Sequence, residues 1–186
     1  PAQIAVDPCS GSVVITEPNN GKVKAMVTYP SYDNNQLSGS VDSDYWEKLI
    51  EDQSDPLYNH ATQGPTAPGS TFKPLTAVAA LTEGIITSND TIYCKGIFDS
   101  ITPNIKCWNY PNEHGPLATE EALQRSCNVY FCELGYRLSF TSDGSLSFDY
   151  GLSRLKKYAE MLGLATKTGI QIQEAAPRAT EYNTTS

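Results

Sequence analysis

Long apolar runs are missing from this sequence of 186 residues. No stretch reaches the roughly 18 to 20 consecutive apolar residues that a membrane-spanning helix needs, and no signal peptide is recognisable. The sequence therefore predicts a soluble chain. Its length suits one domain, or part of a larger one, with a sizeable buried core.

Basic residues are also few. The sequence has 13 Lys and Arg against 21 Asp and Glu, which gives a net charge of -8, and no basic stripe runs along it. A protein that binds a nucleic-acid backbone presents such a stripe or patch. We therefore expect no nucleic-acid partner.

Cysteine pairs at metal-binding spacing are absent as well. The five cysteines include no Cys-x-x-Cys pair, and His60 and His114 are the only histidines. We therefore expect no zinc site, no other metal and no cofactor. Cys94 and Cys107 flank a short turn-rich segment, so they form either a disulfide or, the more frequent case, two reduced buried thiols. The five are Cys9, Cys94, Cys107, Cys127 and Cys132.

The most informative stretch that is present reads Pro68-Gly69-Ser70-Thr71-Phe72-Lys73-Pro74. Helical residues three apart share one face, so the hydroxyl of Ser70 and the amine of Lys73 can touch. The residues that follow are apolar nearly all round, which predicts a helix over about 70–83 that is buried on all sides.

This placement suggests a nucleophile and its base. Burial and the positive end of the helix dipole both favour the neutral amine of Lys73, which can then take the proton of Ser70. Backbone N–H groups at the helix start can stabilise an oxygen that becomes negative in acyl transfer. The alternative is an ordinary Ser N-cap with an ordinary helical Lys, since Ser-x-x-Lys also occurs by chance.

A second polar cluster is Ser126-Cys127-Asn128, which lies between two expected helices. The first helix starts near Thr119 and stops near Arg125. Ser126 and Asn128 are two residues apart, so a turn can aim both into one cleft, where a hydroxyl relays protons and a carboxamide both donates and accepts. The alternative is capping of the second helix by Ser or Asn.

The remaining segments predict an antiparallel sheet packed on one side by helices. Strand-forming residues precede and follow the turn sequence at 18–21, and Val23, Ala25 and Val27 alternate with polar residues. The other expectations are a long connection over 29–69 with a helical turn at 45–50, a small two-stranded element around Tyr93 and Lys106, and a helix over 152–164.

Taken together, Ser70-Thr71-Phe72-Lys73 and Ser126-Cys127-Asn128 resemble the first two active-site motifs of the penicillin-binding protein transpeptidases. The flanking segments resemble that family too, and the resemblance covers nearly the whole chain. It is closer to the monofunctional, high-molecular-weight class B enzymes. The flanks are 21–27 with 30–33, 67–69 and 127–131.

The resemblance implies a role for each residue. Ser70 would be acylated by a D-Ala-D-Ala peptide or a β-lactam, Lys73 would be its base, Ser126 would pass the proton to the leaving amine, and Asn128 would hold the substrate amide. The implied partners are peptidoglycan stem peptides and β-lactams. The implied location is the outer face of the bacterial plasma membrane, where an N-terminal segment absent from this chain anchors the parent protein.

The implied fold is α+β, the serine β-lactamase and penicillin-binding transpeptidase fold. A five-stranded antiparallel sheet is flanked by helices, and an all-helical lobe carries the Ser-x-Asn turn. The active site lies between sheet and lobe.

The family's third motif is Lys-Thr-Gly on a strand at the sheet edge. This chain contains Lys167-Thr168-Gly169, but only about 40 residues after Ser126-Cys127-Asn128 and directly after a helix end. We interpret it as a structural turn. Residues 1–186 are then the N-terminal part of a truncated transpeptidase domain that lacks the Lys-Thr-Gly strand region, and the missing C-terminal part is a further partner.

The leading functional hypothesis is a serine-type peptidoglycan D,D-transpeptidase that also binds β-lactams covalently. One alternative is a serine β-lactamase or β-lactam sensor, which would differ in how fast the acyl-enzyme is hydrolysed. A second alternative, from another class, is a non-catalytic scaffold that binds the cell wall. A scaffold needs none of the residues Ser70, Lys73, Ser126 and Asn128, so their joint presence favours the enzyme.

Overall fold

The computed structural model describes residues 10–177, which form two compact units. One unit contains residues 10–66 and 169–176, and the other contains 67–168 and 177. Cys9 and the last nine residues, which the expected domain 1–186 includes, lie outside the described residues. The described part contains helices and short antiparallel strands, as the expected α+β class requires.

The secondary structure elements are numbered in chain order. The strands are β1 (Gly11–Thr16), β2 (Val23–Tyr29), β3 (Ile92–Cys94), β4 (Ile97–Phe98), β5 (Ile105–Lys106) and β6 (Gly115–Leu117). The α-helices are α1 (Ser43–Glu51), α2 (His60–Gln63), α3 (Lys73–Thr82), α4 (Thr119–Gln124), α5 (Asn128–Leu138) and α6 (Phe148–Met161). Two 3-10 turns cover Asn34–Leu37 and Gly69–Phe72.

The first unit contains the expected hairpin. Strands β1 and β2 pair antiparallel with Val13 opposite Val27, and the short helix α2 packs on both strands. The expected burial of one face is wrong, because Val14, Ile15 and Val23 are each 44–51% exposed. A single-turn helix covers too little of a two-stranded sheet to bury either face.

The second unit holds the hydrophobic core, which is built on α3, α5 and α6. The expected helix over 70–83 is found as the 3-10 turn Gly69–Phe72 that runs directly into α3. Its expected burial on all sides is wrong, since even the apolar side chains Val78 and Leu81 are 44% and 38% exposed. Leu75, Ala77, Ala79 and Ala80 face the core.

Two separate strand pairs precede α4. Tyr93 in β3 lies opposite Pro116 in β6, whereas Lys106 in β5 lies opposite Ile97 in β4. The expected single element around Tyr93 and Lys106 is therefore wrong, because each strand takes a nearer partner. Both β3 and β5 contact α5.

Helix α4 begins and ends as expected and α5 follows it as expected, but the residue that caps α5 differs. Cys127 is the N-cap, and its thiol accepts a hydrogen bond from the backbone N–H of Tyr130 at 3.5 Å. The alternative interpretation of Ser126 or Asn128 as the cap is thus wrong. Both polar side chains point to other partners.

The described strands form three two-stranded sheets, and the five-stranded sheet is not assembled within 10–177. Residues 167–169 form no strand. No helix in the described part has the length and apolar character to cross a bilayer.

Candidate active site

Ser70 lies in the 3-10 turn that leads into α3, and its side chain is exposed. The turn begins at Gly69, whose φ of +56° is a conformation that glycine adopts without steric cost. The hydroxyl of Ser70 bonds to the hydroxyl of Ser126, with 3.0 Å between the two oxygens. A solvent-facing serine is thereby held by a second serine 56 positions later.

Lys73 is the first residue of α3, and its ammonium group donates three hydrogen bonds. The acceptors are the carbonyl of Ser126 at 2.7 Å, the hydroxyl of Ser126 at 3.0 Å and the amide oxygen of Asn128 at 2.8 Å. The ring of Phe131 lies 5.7 Å from Nζ. Because an ammonium group has three protons, this geometry satisfies all of them.

Burial lowers the pKa of Lys73 from its ordinary value, against the opposing influence of nearby thiols. The cause is the desolvation of the charged amine, which the sequence argument anticipated. A lowered pKa makes the neutral amine available at a lower pH than in a free lysine. Lys73 can therefore act as a proton acceptor.

Ser126 occupies a backbone position that usually belongs to glycine. Helix α4 ends with hydrogen bonds from Ser126 N to Leu123 O and from Cys127 N to Ala122 O, the Schellman pattern. Ser126 has a φ of +49°. Helices α3 and α6 end on the same pattern with Gly84 and Gly163. A serine at this position therefore adds conformational strain that glycine would avoid, and its hydroxyl is the group that glycine lacks.

Asn128 is the first residue of α5. Lysine cannot accept a hydrogen bond, so the amide oxygen is the atom that faces Lys73. The amide nitrogen donates to the carbonyl of Lys106 over 3.4 Å. Because this bond is long, the nitrogen can turn to a substrate carbonyl at little cost.

The structure thus brings together all four residues that the sequence singled out, from segments more than 50 positions apart. The hydroxyls of Ser70 and Ser126 and the amine of Lys73 form a continuous chain with 3.0 Å at each step. Hydroxyl protons rotate to suit their partners, so a proton can pass from Ser70 through Ser126 to Lys73. This arrangement can activate a serine for acyl transfer.

Cys127 is one of four potential metal ligands that lie together directly behind this site. The Sγ atoms of Cys94, Cys107 and Cys127 and the Nδ1 atom of His114 all lie within 4.8 Å of one another. Nδ1 is 3.5 Å from Cys94 Sγ and 3.6 Å from Cys107 Sγ, and the sulfurs of Cys107 and Cys127 are 3.9 Å apart.

These separations match a tetrahedral zinc site. With bonds of about 2.3 Å to sulfur and about 2.05 Å to nitrogen, tetrahedral ligands lie about 3.6 Å apart for a sulfur and nitrogen pair and about 3.8 Å for two sulfurs. The four residues therefore fit Zn²⁺ with a closed, structural ligand set. Burial raises the pKa of Cys127 to about 12 and lowers that of His114. The Cys127 thiol is therefore protonated when no metal is bound, and a bound cation would displace its proton.

The sequence argument that no zinc ligands could be assembled is wrong as a statement about geometry. Zinc ligands often occur in closely spaced pairs, whereas this fold collects one ligand each from β3, the end of β5, the start of β6 and the cap of α5. The sequence did contain a signal for this cluster, namely that three of the five cysteines and one of the two histidines fall within 94–127. The free, buried state of Cys94 and Cys107 agrees with the reduced-thiol alternative.

The fold and this site define an α+β domain with a hydrogen-bonded cluster of two serines and a lysine, and comparison with known proteins gives its family. The profile of the penicillin-binding protein transpeptidase domain matches residues 11–183. The chain belongs to the penicillin-binding protein transpeptidase family.

Its relatives are bacterial. The chain is 36% identical over 166 residues to the peptidoglycan D,D-transpeptidase MrdA of Haemophilus influenzae, an alignment that covers 88% of this chain and 24% of that protein. The chain thus spans about a quarter of the length of this curated relative.

Solved structures agree with the expected fold class. Penicillin-binding protein 2 of Pseudomonas aeruginosa superposes with a TM-score of 0.79 and 28% identity, covering 95% of this chain and 38% of that one. Penicillin-binding protein A of Mycobacterium tuberculosis, solved as an acyl-enzyme with ceftriaxone, gives 0.73 and 29%, covering 91% and 37%. The penicillin-binding transpeptidase fold is confirmed, and this chain spans well under half of either solved structure.

Proposed function

We propose that the protein carrying this chain is a serine-type peptidoglycan D,D-transpeptidase that cross-links stem peptides through an acyl-enzyme on Ser70. The observation that carries the proposal is the hydrogen-bonded chain from Ser70 through Ser126 to Lys73. The MrdA relative is named for this activity, and the M. tuberculosis relative was solved as an acyl-enzyme.

In the first half-reaction, the Oγ atom of Ser70 attacks the carbonyl carbon of the D-Ala-D-Ala bond. Its proton passes to the hydroxyl of Ser126, whose own proton passes to the neutral amine of Lys73. Proton transfer by positioned groups of this kind contributes about 100- to 10,000-fold in rate. When the tetrahedral intermediate collapses, Ser126 protonates the departing D-Ala amine and recovers a proton from Lys73.

In the second half-reaction, the amine of another stem peptide attacks the acyl-enzyme. The same relay takes the proton from this amine and returns one to Ser70. Asn128 can turn its amide nitrogen from the Lys106 carbonyl to the side-chain amide of the substrate while its oxygen keeps Lys73 in place. A β-lactam would acylate Ser70 by the first half-reaction alone.

The proposed activity also implies a cellular location, an anchor and a third motif for the protein that carries this chain. The protein would work at the outer face of the bacterial plasma membrane, where its substrate lies, and its parent would be membrane-anchored. A Lys-Thr-Gly strand outside 1–186 would supply a cation for the substrate carboxylate. Zn²⁺ held by Cys94, Cys107, His114 and Cys127 would supply structural cross-linking, since all four of its ligands come from the protein.

The test is covalent labelling of the protein that carries this chain. After incubation with penicillin, we expect an increase in intact mass equal to one antibiotic molecule, and peptide mapping should locate it on Ser70. The variant Ser70→Ala should show no adduct. The control Ser153→Ala, which changes an exposed serine on α6, should label as the unchanged protein does.

An unmodified mass with the unchanged protein, or equal labelling of Ser70→Ala, would overturn the proposal. Rapid loss of the adduct with continuous consumption of antibiotic would instead assign the protein to the serine β-lactamases. Intact folding without any adduct would favour the wall-binding scaffold.

A further inference from the structure

The end of strand β5 places a lysine at the edge of the active site. The backbone carbonyl of Lys106 accepts the 3.4 Å hydrogen bond from the amide nitrogen of Asn128. Lys106 is the last residue of β5, where it lies opposite Ile97 of β4, and it is exposed. One residue therefore contacts the site through its backbone and presents its side chain to solvent.

The ammonium group of Lys106 is held by an aromatic ring and not by a carboxylate. Its Nζ atom lies 4.6 Å from the ring centroid of Tyr110, which is within cation–π range. In the described part of the chain, no salt bridge includes Lys106, whereas Lys24, Lys95 and Lys157 each pair with a carboxylate. The charge of Lys106 is thus oriented and still available to an anion.

The segment that carries Tyr110 is tied to the active-site turn. Two residues before Tyr110, the indole nitrogen of Trp108 donates to the carbonyl of Arg125 at 2.9 Å. Arg125 is the residue directly before Ser126. The ring beneath Lys106 is therefore fixed beside the turn that holds the relay serine.

An available cation at this place has a use in the proposed reaction. The net charge of the chain is -8, so an acidic peptide is repelled unless a cation faces it locally. Lys73 accepts a proton only as a neutral amine, and as an ammonium group it spends all three protons on Ser126 and Asn128. Neither form of Lys73 offers a free charge to the substrate, whereas Lys106 does.

We propose that Lys106 is a specificity-determining residue for the peptide that acylates Ser70. Its ammonium group binds a side-chain carboxylate of the residue that precedes D-Ala-D-Ala, so the substrate class is an acidic stem peptide. The inference rests on the proposed function, because it assigns a further contact to the substrate of that reaction. Tyr110 is the positioning residue that directs the ammonium group.

The reach of the substrate agrees with this assignment. The substrate amide that Asn128 holds would replace the Lys106 carbonyl as the partner of the Asn128 amide nitrogen. An extended peptide advances only about 3.3–3.6 Å per residue. A carboxylate at or next to that amide therefore comes close enough to meet the ammonium group of Lys106.

The test compares two peptides that differ in one charge. Both end in D-Ala-D-Ala, and the preceding residue carries a side-chain carboxylate in one peptide and the corresponding carboxamide in the other. Isothermal titration calorimetry measures their affinities for the Ser70→Ala form of the protein that carries this chain, which cannot be acylated. At low ionic strength the carboxylate peptide should bind about two- to fivefold more tightly, as expected for an exposed ion pair. Added salt should reduce this preference.

Variants in the same background assign the charge. Lys106→Met should abolish the preference for the carboxylate, and Lys106→Arg should retain it because the cation remains. The matched control is Lys95→Met, which changes the net charge equally at a lysine that already pairs with Asp99 at 2.7 Å, and it should keep the preference. Tyr110→Leu should reduce the preference, and Tyr110→Phe, which keeps the ring face, should restore it.

The same preference should appear in the reaction when Ser70 is intact. Release of D-Ala from the carboxylate peptide should have the lower KM, by about two- to fivefold, with the same kcat for both peptides. The effect falls on KM because Lys106 contacts the substrate away from the reacting atoms, in the ground state and the transition state alike.

Equal affinity for the two peptides, or binding of neither, would overturn the proposal. So would a preference that persists in Lys106→Met; its loss in Arg125→Gln would then assign the carboxylate to Arg125. Failure of the unchanged protein to react with penicillin would overturn the proposed function, and the calorimetry would still decide whether Lys106 selects the carboxylate.

Discussion

Ser126 holds the position at which helices α3 and α6 end on glycine. A left-handed conformation costs a non-glycine residue on the order of 1 kcal/mol or more, and Ser126 adopts it at φ +49°. Its hydroxyl is the link between Ser70 and Lys73. Backbone strain and proton relay therefore meet in one residue.

This conflict predicts opposite effects of Ser126→Gly on stability and on activity. Glycine relieves the backbone strain, so the free energy of unfolding should be unchanged or up to about 1 kcal/mol higher. Loss of the relay should slow penicillin acylation about 100-fold or more. Urea unfolding measures the change in stability, and the time course of penicillin acylation measures the change in rate. An acylation rate equal to that of the unchanged protein would show that Ser126 is not part of the relay.

The lowered pKa of Lys73 predicts how the rate of acylation depends on pH. The neutral amine accumulates as pH rises through the pKa of Lys73, and burial lowers that pKa, so acylation at saturating penicillin should rise with pH and level off below the range of an ordinary lysine. Asn128→Ala removes an acceptor that favours the ammonium form. The midpoint of the rise should then move to lower pH; a shift upward would contradict this account.

At the scale of elements, the packing of α6 on the end of α5 depends on Gly151. A Cβ atom there would clash with the Oγ atom of Ser139 and lie 3.1 Å from its Cα. Ser139 is buried, and its hydroxyl donates to the carbonyl of Gly135 at 2.9 Å. The side chain is thus held in place, and the helices cannot separate without opening the core.

We therefore expect Gly151→Ala to lower the free energy of unfolding by about 1–3 kcal/mol. The matched control is Gly135→Ala within α5, where an added Cβ meets nothing within 4 Å. Alanine there should stabilise by about 0.5–1 kcal/mol, because it has the higher helix propensity. Urea unfolding of both variants decides the question, and equal changes would show that the close contact at Gly151 is unimportant.

At the scale of the whole molecule, apolar burial is uneven. Every residue of the buried core cluster lies in the second unit, between Leu75 and Tyr158. In the described part of the first unit, Leu49 is the only buried apolar side chain other than Pro56. The β1–β2 hairpin therefore has little burial to oppose local opening.

Hydrogen exchange should reveal this difference. Amides of α3 and α5 should be protected by several orders of magnitude more than those of β1 and β2, since core helices open only with the global unfolding of their unit. Exchange measured by mass spectrometry on peptides from each element provides the test, with rates corrected for intrinsic exchange. Equal protection of hairpin and helices would show that the two units unfold as one.

The sequence alone determined the features that depend on local chemistry. Turn residues and side-chain periodicity located the β1–β2 hairpin and the helices α3, α4 and α5 to within a few residues, because these signals act over one or two turns of chain. The three-residue spacing of Ser70 and Lys73, with a second motif at 126–128, was sufficient to single out the four residues that the structure brings together.

Tertiary structure alone decided the features that depend on contacts between distant segments. The register of β3 with β6, the thiol cap of α5 and the left-handed backbone of Ser126 follow from packing rather than from any local pattern. The four-residue metal geometry is the clearest case. Its ligands are spread over 34 positions, from Cys94 to Cys127, and only the folded loops bring them within 4.8 Å, because metal ligation depends on distance in space and not on spacing along the chain.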